Sequence, residues 1–475
     1  MSTKTQEILG FLPQTAGVPR EELLVAADGS GNFRSITEAL RAGAASQAPR
    51  IVVRPGLYRE SLVIERPVEL VADGPLGSVV VESDSGSCLL AYPQNAIVSG
   101  FVFRCTAGAR RVECYGIEIQ TRVFLNDCDI SCDSLACLAL YGPNADPIVR
   151  RCRIHHGAQA GVLIYQGGRG TFEECEFSEN GLGAIEVRSA SDPVVRQCRI
   201  SGAVTVFVRG KGTFEACEIT GAGPRGMAAF QVDSGDPVVR QCRIQNPAGA
   251  GVLVAGHGRG TFEDCEMVGN HLSGIEVKGA GNPVVRHCAI HDGAQGGVMI
   301  SEWGRGTFEE CEISGNTLSG LEIKEGADPL VLRCSIHHGK GDGVMVQKRG
   351  HGTLEECDIF ANALAGVEIA GSADPVLRRC QIHHGMQGGV LAHTGGMGTL
   401  EECDIYADAR CGVASFQKGD PILRRSKIHD CKEFGIIVFN EGTGTVEECE
   451  FWGHGGNNLS IRQGCQIMRR AIVEK

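Results

Sequence analysis

The chain has 475 residues, with 66 glycines, 22 cysteines and a formal net charge of −12. An acidic balance without a basic run excludes nucleic acid and anionic membrane as main partners, since both need a positive footprint. No apolar stretch approaches the roughly 18 residues of a membrane span, and the opening MSTKTQEILGFLPQTAGVPR lacks the apolar core of a secretory signal. The expected location is the cytoplasm, with the cysteines read as reduced thiols.

In chain order, residues 1–20 read as a tail, 21–82 as a capping helix with the first coils, 83–455 as repeats, and 456–475 as a C-terminal cap. Ser35 and Glu38 form an S-x-x-E capping box before an apolar-periodic stretch, which predicts a helix over 35–45. A helix there would cover the open edge of the first coil.

From Cys105 the cysteines keep time. Cys128, Cys152, Cys175, Cys198, Cys217, Cys242 and their successors run to Cys449, mostly 23 residues apart, with Ser426 standing in once. GTFEEC-like and DPVVRQC-like segments alternate, so the full period is 46 residues. Each unit holds short alternating runs such as CEIS and GLEIK, split by Gly, Asn, Asp and Pro, which reads as strands joined by turns. Short strands in a fixed-length unit predict an all-β solenoid whose coils stack as parallel strands ~4.8 Å apart.

The cysteine then recurs at one inward position on every coil. A straight column does not converge on a point as tetrahedral zinc requires, so it reads as packing. Asn180, Asn270, Asn316 and Asn362, five residues after the cysteine, alternate with Gly157, Gly293, Gly339 and Gly385. That position reads as a turn tolerant of left-handed backbone. Two residues before the cysteine, Arg150, Glu173, Arg196, Glu215 and Arg240 begin a series that inverts sign on each coil. Stacked coils would pair each charge with opposite neighbours, and a one-coil slip would turn attraction into repulsion.

Candidate functional residues are few. The histidines after the column cysteine, such as His155, His156, His337, His338, His383 and His384, read as turn residues, and Gly256-His257-Gly258 falls in a repeated glycine turn. Residues 201–235 break the period, and Arg225, Phe230 and Asp233 mark a candidate irregular site. In the G-V-x-V strands the third position faces outward if its neighbours face in. It holds Leu253, Glu276, Met299, Glu322, Met345, Glu368 and Leu391, a mixed ridge suited to a partner. No unique acid–base, cofactor or metal constellation stands out, so no catalytic, cofactor-binding or metal residue is expected.

The repeats GRGTFEECEISGNTLSGLEI and ADPVLRRCQIHHGMQGGV resemble the single-stranded right-handed parallel β-helix of pectin-lyase-like proteins. They are most similar to the carbohydrate-binding-and-sugar-hydrolase repeats of β-helical F-box proteins and related bacterial proteins. VAADGSGNFRSITEAL with IVVRPGLYRE is similar to the first coils of pectin methylesterases. The resemblance implies the fold, and a protein-recognition role in the F-box relatives. The paired aspartates and arginine of methylesterases have no match. The expectation is therefore a non-enzymatic β-helix that binds or scaffolds another protein, with a polysaccharide-binding or polysaccharide-active protein as the alternative.

Overall fold

The computed structural model describes residues 21–43, 48–92, 95–106, 113–221 and 227–474. The expected tail, residues 1–20, and Arg225 lie outside the described residues. The coils fall into two compact units, Met1–Pro224 with Gly235–Cys242, and Arg225–Ser234 with Arg243–Lys475. In each unit a regular coil contributes one strand to each of three parallel sheets, here called A, B and C. One such coil is Thr307–Glu309 in sheet A, Glu312–Ser314 in sheet B and Leu321–Ile323 in sheet C.

Three-residue strands leave little room for error, and their side chains alternate. Phe308, Ile313, Leu321 and Ile323 are buried. Thr307, Glu309 and Glu322 face out. The A-to-B corner takes two residues. Glu310 adopts φ 51°, a left-handed conformation, and Cys311 turns inward. The thiol does more than fill space. The Cys311 Sγ–H lies 3.5 Å from the Val285 carbonyl of the previous coil, while the Cys311 N–H donates to Cys334 Sγ at 3.5 Å. Backbone groups that a tight corner would orphan thus find partners. Ser426 substitutes faithfully: the Cys403 N–H donates to its hydroxyl at 3.1 Å.

One member of the expected column belongs elsewhere. Cys105 pairs in register with Cys132 at the end of sheet B strands, and Phe101 takes the corner position of its coil. The 23-residue step from Cys105 to Cys128 is a coincidence of spacing. Cys105 Sγ lies 3.4 Å from Cys114 Sγ in a separate thiol cluster.

The alternating charges meet as expected. Glu309 lies opposite Arg286 in sheet A, and their side chains pair at 2.9 Å. Arg378 with Glu401 and Arg424 with Glu447 repeat the contact at 3.2 and 3.0 Å. Where Leu332 interrupts the series, Arg333 from the adjacent left-handed position supplies a guanidinium 2.9 Å from Glu310. These pairs are exposed, worth about 0–1 kcal/mol each, so their weight lies in register.

The asparagine position differs from the expectation. Asn316 and Asn362 are buried, and the left-handed residues are their predecessors, Gly315 and Ala361. The glycines of the alternate coils are likewise preceded by left-handed residues, His156, Asp292, His338 and His384. Asn180, Asn316 and Asn362 bridge the stack: Asn316 Oδ1 accepts from the Gly293 N–H at 2.9 Å and Nδ2 donates to the Ile290 carbonyl at 3.2 Å. Two later residues imitate this amide. His454 accepts from the Cys431 N–H through Nδ1 at 3.2 Å and donates from Nε2 to the Ile428 carbonyl at 3.1 Å. Asp408 accepts from the Gly385 N–H at 2.8 Å, but its Oδ2 has no partner unless protonated. Burial pushes its carboxyl up to about 8. On the outer face of sheet B the turn-proximal histidines stack with aromatics, His383 on Tyr406 and His429 on Trp452, at centroid separations of 4.6 and 4.3 Å. Their faces cover one another.

At the N-terminal end the helix runs Ile36–Ala42, shorter than the 35–45 expected, and residues 44–47 lie outside the described set. Ser35 caps it by accepting from the Glu38 N–H at 3.2 Å. Glu60, from the GLYRE segment, accepts from the Ile36 and Thr37 N–H groups at 2.9 and 2.8 Å. The final coils remain strands to Glu474, with Met468 and Val473 exposed.

Two outcomes are expected. Asp408 has a folded-state value above its unfolded one, so its contribution is present at low pH and is lost as pH rises towards about 8. Asp408→Asn should therefore stabilise the protein by about 1–3 kcal/mol at pH 8 and little at pH 4, read by urea unfolding at both; no pH dependence of the gain would refute the protonated carboxyl. Glu309→Arg sets a third guanidinium between Arg286 and Arg333 and should cost about 1–2 kcal/mol at low salt, less at high salt; a salt-independent loss would argue against charge register.

Candidate functional site

The outer face of sheet C in the second unit gathers the chemistry. In each strand the first and third residues are buried and the middle one looks out, as with Val298, Met299 and Ile300. Pairing puts Leu253 beside Glu276, Glu276 beside Met299, and Met299 beside Glu322. Glu322 then adjoins Met345, Met345 adjoins Glu368, and Glu368 adjoins Leu391. The seven expected residues are one column. They are half-buried rather than freely exposed, because the column shares a groove with the side chains of the adjoining B-to-C turns.

The groove is lined by Met299, Glu322 and Met345 from the column, and by Leu318, Asp342 and Leu364 beside it. Its volume is about 240 Å³. Asp342 is the departure from pattern. The matching positions on neighbouring coils are Ala250, Ser273, Gly296, Ser319, Ala365 and Gly388. A carboxylate therefore stands where the repeat otherwise tolerates only small side chains. It is 3% exposed, and its Oδ1 accepts from the Ala365 N–H at 2.9 Å. Burial, with nearby Glu368 contributing, pushes its carboxyl up to about 6.

The neighbouring carboxylates have cationic or amide company. Glu322 contacts Lys324 Nζ at 3.1 Å and accepts from Gln347 Nε2 at 2.7 Å. Glu368 meets His393 Nε2 at 3.1 Å. Burial raises Glu276 above the ordinary carboxylate range. One groove thus offers a carboxyl able to hold a proton near pH 6 beside a carboxylate held by a lysine, the elements of proton donation and water activation. Among the described residues no group of three or more His, Cys, Asp and Glu is placed to hold a metal ion.

The described residues of the irregular segment give no comparable site. Phe230 is fully buried, packed edge-on against Phe262 at 5.8 Å, because its place opposite Val252 in sheet C points inward. Asp233 sits at the strand end, bonded by the Ser234 hydroxyl at 3.1 Å. His257 occupies a left-handed turn position and does not line the groove. Sequence reasoning passed over Asp342 because KGDGV reads as another glycine turn; the available signal was the run of small residues at the same place in six neighbouring repeats.

The description "Right handed beta helix region" matches residues 110–236, 136–271, 228–377 and 365–470. Over 104 residues the chain is 35% identical to a probable pectinesterase/pectinesterase inhibitor 17 of Arabidopsis thaliana, covering 20% of each. Over 211 residues it is 25% identical to the pectinesterase/pectinesterase inhibitor U1 of Solanum lycopersicum, covering 38% of this chain and 34% of that protein. The chain thus spans about a third or less of these relatives. A carrot pectin methylesterase structure aligns at 16% identity and a TM-score of 0.37, over 53% of this chain and 84% of that one. These findings overturn the expectation of a non-enzymatic protein-binding scaffold, since the relatives matched are pectinesterases. The expected kinship with β-helical F-box proteins is supported only at the level of the shared repeat fold. With its repeats matched from residue 110 to residue 470, the chain belongs to the right-handed β-helix family.

Proposed function

We propose that the protein acts on a polysaccharide of low charge, bound in the sheet C groove, by hydrolysing a C–O bond. The observation that carries this reading is Asp342, a buried carboxyl in an otherwise small-residue column, sharing a groove with Glu322. In the step, Asp342 gives its proton to the departing oxygen. Glu322 takes a proton from water as the water oxygen bonds to the carbon left behind. Solvent then returns a proton to Asp342 and removes one from Glu322. The sum is one water consumed and two hydroxyl-bearing products, or an acid and an alcohol from an ester.

Charge selects the substrate class. Glu276, Glu322 and Glu368 stand near the path, offset only in part by Lys278 and Lys324, while Asp342 is uncharged as long as it holds its proton. A chain with a free carboxylate on every sugar would be repelled, whereas a neutral or methyl-esterified one would not. The pectinesterase relatives fit a methyl-esterified polyuronate.

The test incubates the protein with highly methyl-esterified and de-esterified homogalacturonan, following methanol release and new reducing ends separately. Turnover should favour the esterified polymer and decline as pH rises through about 6, where Asp342 loses its proton. Asp342→Asn should abolish turnover. The variant keeps the acceptor for the Ala365 N–H, so it should unfold at equal or higher urea concentration at pH 7, gaining about 1–3 kcal/mol. Neither product from either polymer, or full activity in Asp342→Asn, would defeat the proposal.

A further inference from the structure

A second departure from the repeat lies on the same coils, at the C-to-A turn. Every regular turn here has two consecutive left-handed residues, and the second is His257, Ala280, Trp303, Gly326, Arg349, Ser372 and Gly395 on successive coils. Trp303 is the aromatic exception. Its φ is 62°, a conformation bulky side chains rarely adopt, and the residue is 71% exposed. An indole usually packs away from water; this one stands out from its turn.

Its surroundings hold it upright. A Cβ added at Gly326 would come within 2.8 Å of the indole ring, so the ring rests on the glycine backbone of the next coil. On the previous coil Ala280 is too small to cover it, which leaves an open groove lined by His257, Gly279, Ala280, Glu302 and Glu325. A flat apolar face flanked by carboxylates and an imidazole presents a surface for sugar C–H bonds and acceptors for the hydroxyls around them.

Position links this groove to the one already described. Met299 lines the Asp342 groove and Trp303 follows four residues later on the same coil. On the next coil Glu322 lines the Asp342 groove and Glu325 lines the Trp303 groove, with Lys324 between them. Three extended residues span roughly 10 Å, so a sugar chain crossing sheet C would reach both. We infer that Trp303 is a sugar-stacking platform, a distal subsite of the polysaccharide groove. This rests on the proposed function, since it assumes that the occupant of the Asp342 groove is a saccharide chain.

The chain has only two tryptophans, Trp303 and Trp452, so Trp452→Phe leaves Trp303 as the sole indole emitter. Titrating that variant with a methyl-esterified hexagalacturonide should change Trp303 emission saturably, at the concentration where calorimetry detects binding. Trp303→Ala should weaken calorimetric binding at least tenfold, while Trp303→Phe, which keeps a flat ring, should retain it within about threefold. Trp303 is exposed, so its replacement leaves the core intact, and far-ultraviolet circular dichroism of each variant checks this. If the parent binds and Trp303→Ala binds equally, the platform is refuted and the Asp342 groove stands. If the parent binds no saccharide at all, both readings fail together.

Discussion

The structure depends on a corner of two residues, one left-handed and one with its side chain turned inward. At each such corner the chain must leave sheet A and enter sheet B without stranding a buried N–H or carbonyl. A thiol meets the need because it is small, apolar enough for the interior and still a weak donor and acceptor. Cys311 shows the arrangement, its thiol reaching the Val285 carbonyl of the coil before and its N–H the Cys334 sulfur of the coil after. Ser426 shows that the requirement is for a small donor–acceptor, since a hydroxyl serves there equally.

With the corner fixed, the rest of a coil is register. Outside, Arg286 and Glu309 or Arg378 and Glu401 penalise a slip by one coil. Inside, Asn316 and Asn362 tie each B-to-C turn to its neighbours. His454 and Asp408 are informative because other chemistry fills the same place: an imidazole supplies the amide's donor and acceptor, and a carboxyl whose value burial raises to about 8 accepts from the Gly385 N–H. A fold explained this fully by repetition makes its exceptions conspicuous. Asp342 and Trp303 are such exceptions, and both border the outer face of sheet C.

Much of this was legible in the sequence. The 23-residue step, the inward thiols, the inverted charges and the outward column from Leu253 to Leu391 all follow from spacing and alternation. The misses have physical causes. Cys105 matches the spacing but sits at a strand end, because a coil-length difference moved it relative to the corner. The asparagines were read for backbone tolerance, whereas their amides bridge coils, a long-range role that local sequence does not display. Phe230 was singled out for lying in a broken repeat, yet a broken repeat still has to fill its core. Asp342 is invisible to local reading and emerges only when its six small counterparts, at 23-residue steps, are set side by side.

On the proposed function, regular coils are scaffold and ligand chemistry is confined to the face where the repeat is broken. Hydrogen-exchange mass spectrometry with and without saturating methyl-esterified oligosaccharide tests this most directly. Slower exchange is predicted in segments 295–305, 318–326 and 341–348, with the regular coils of residues 150–200 unchanged. Protection spread evenly along the coils, or confined to sheets A and B, would contradict it.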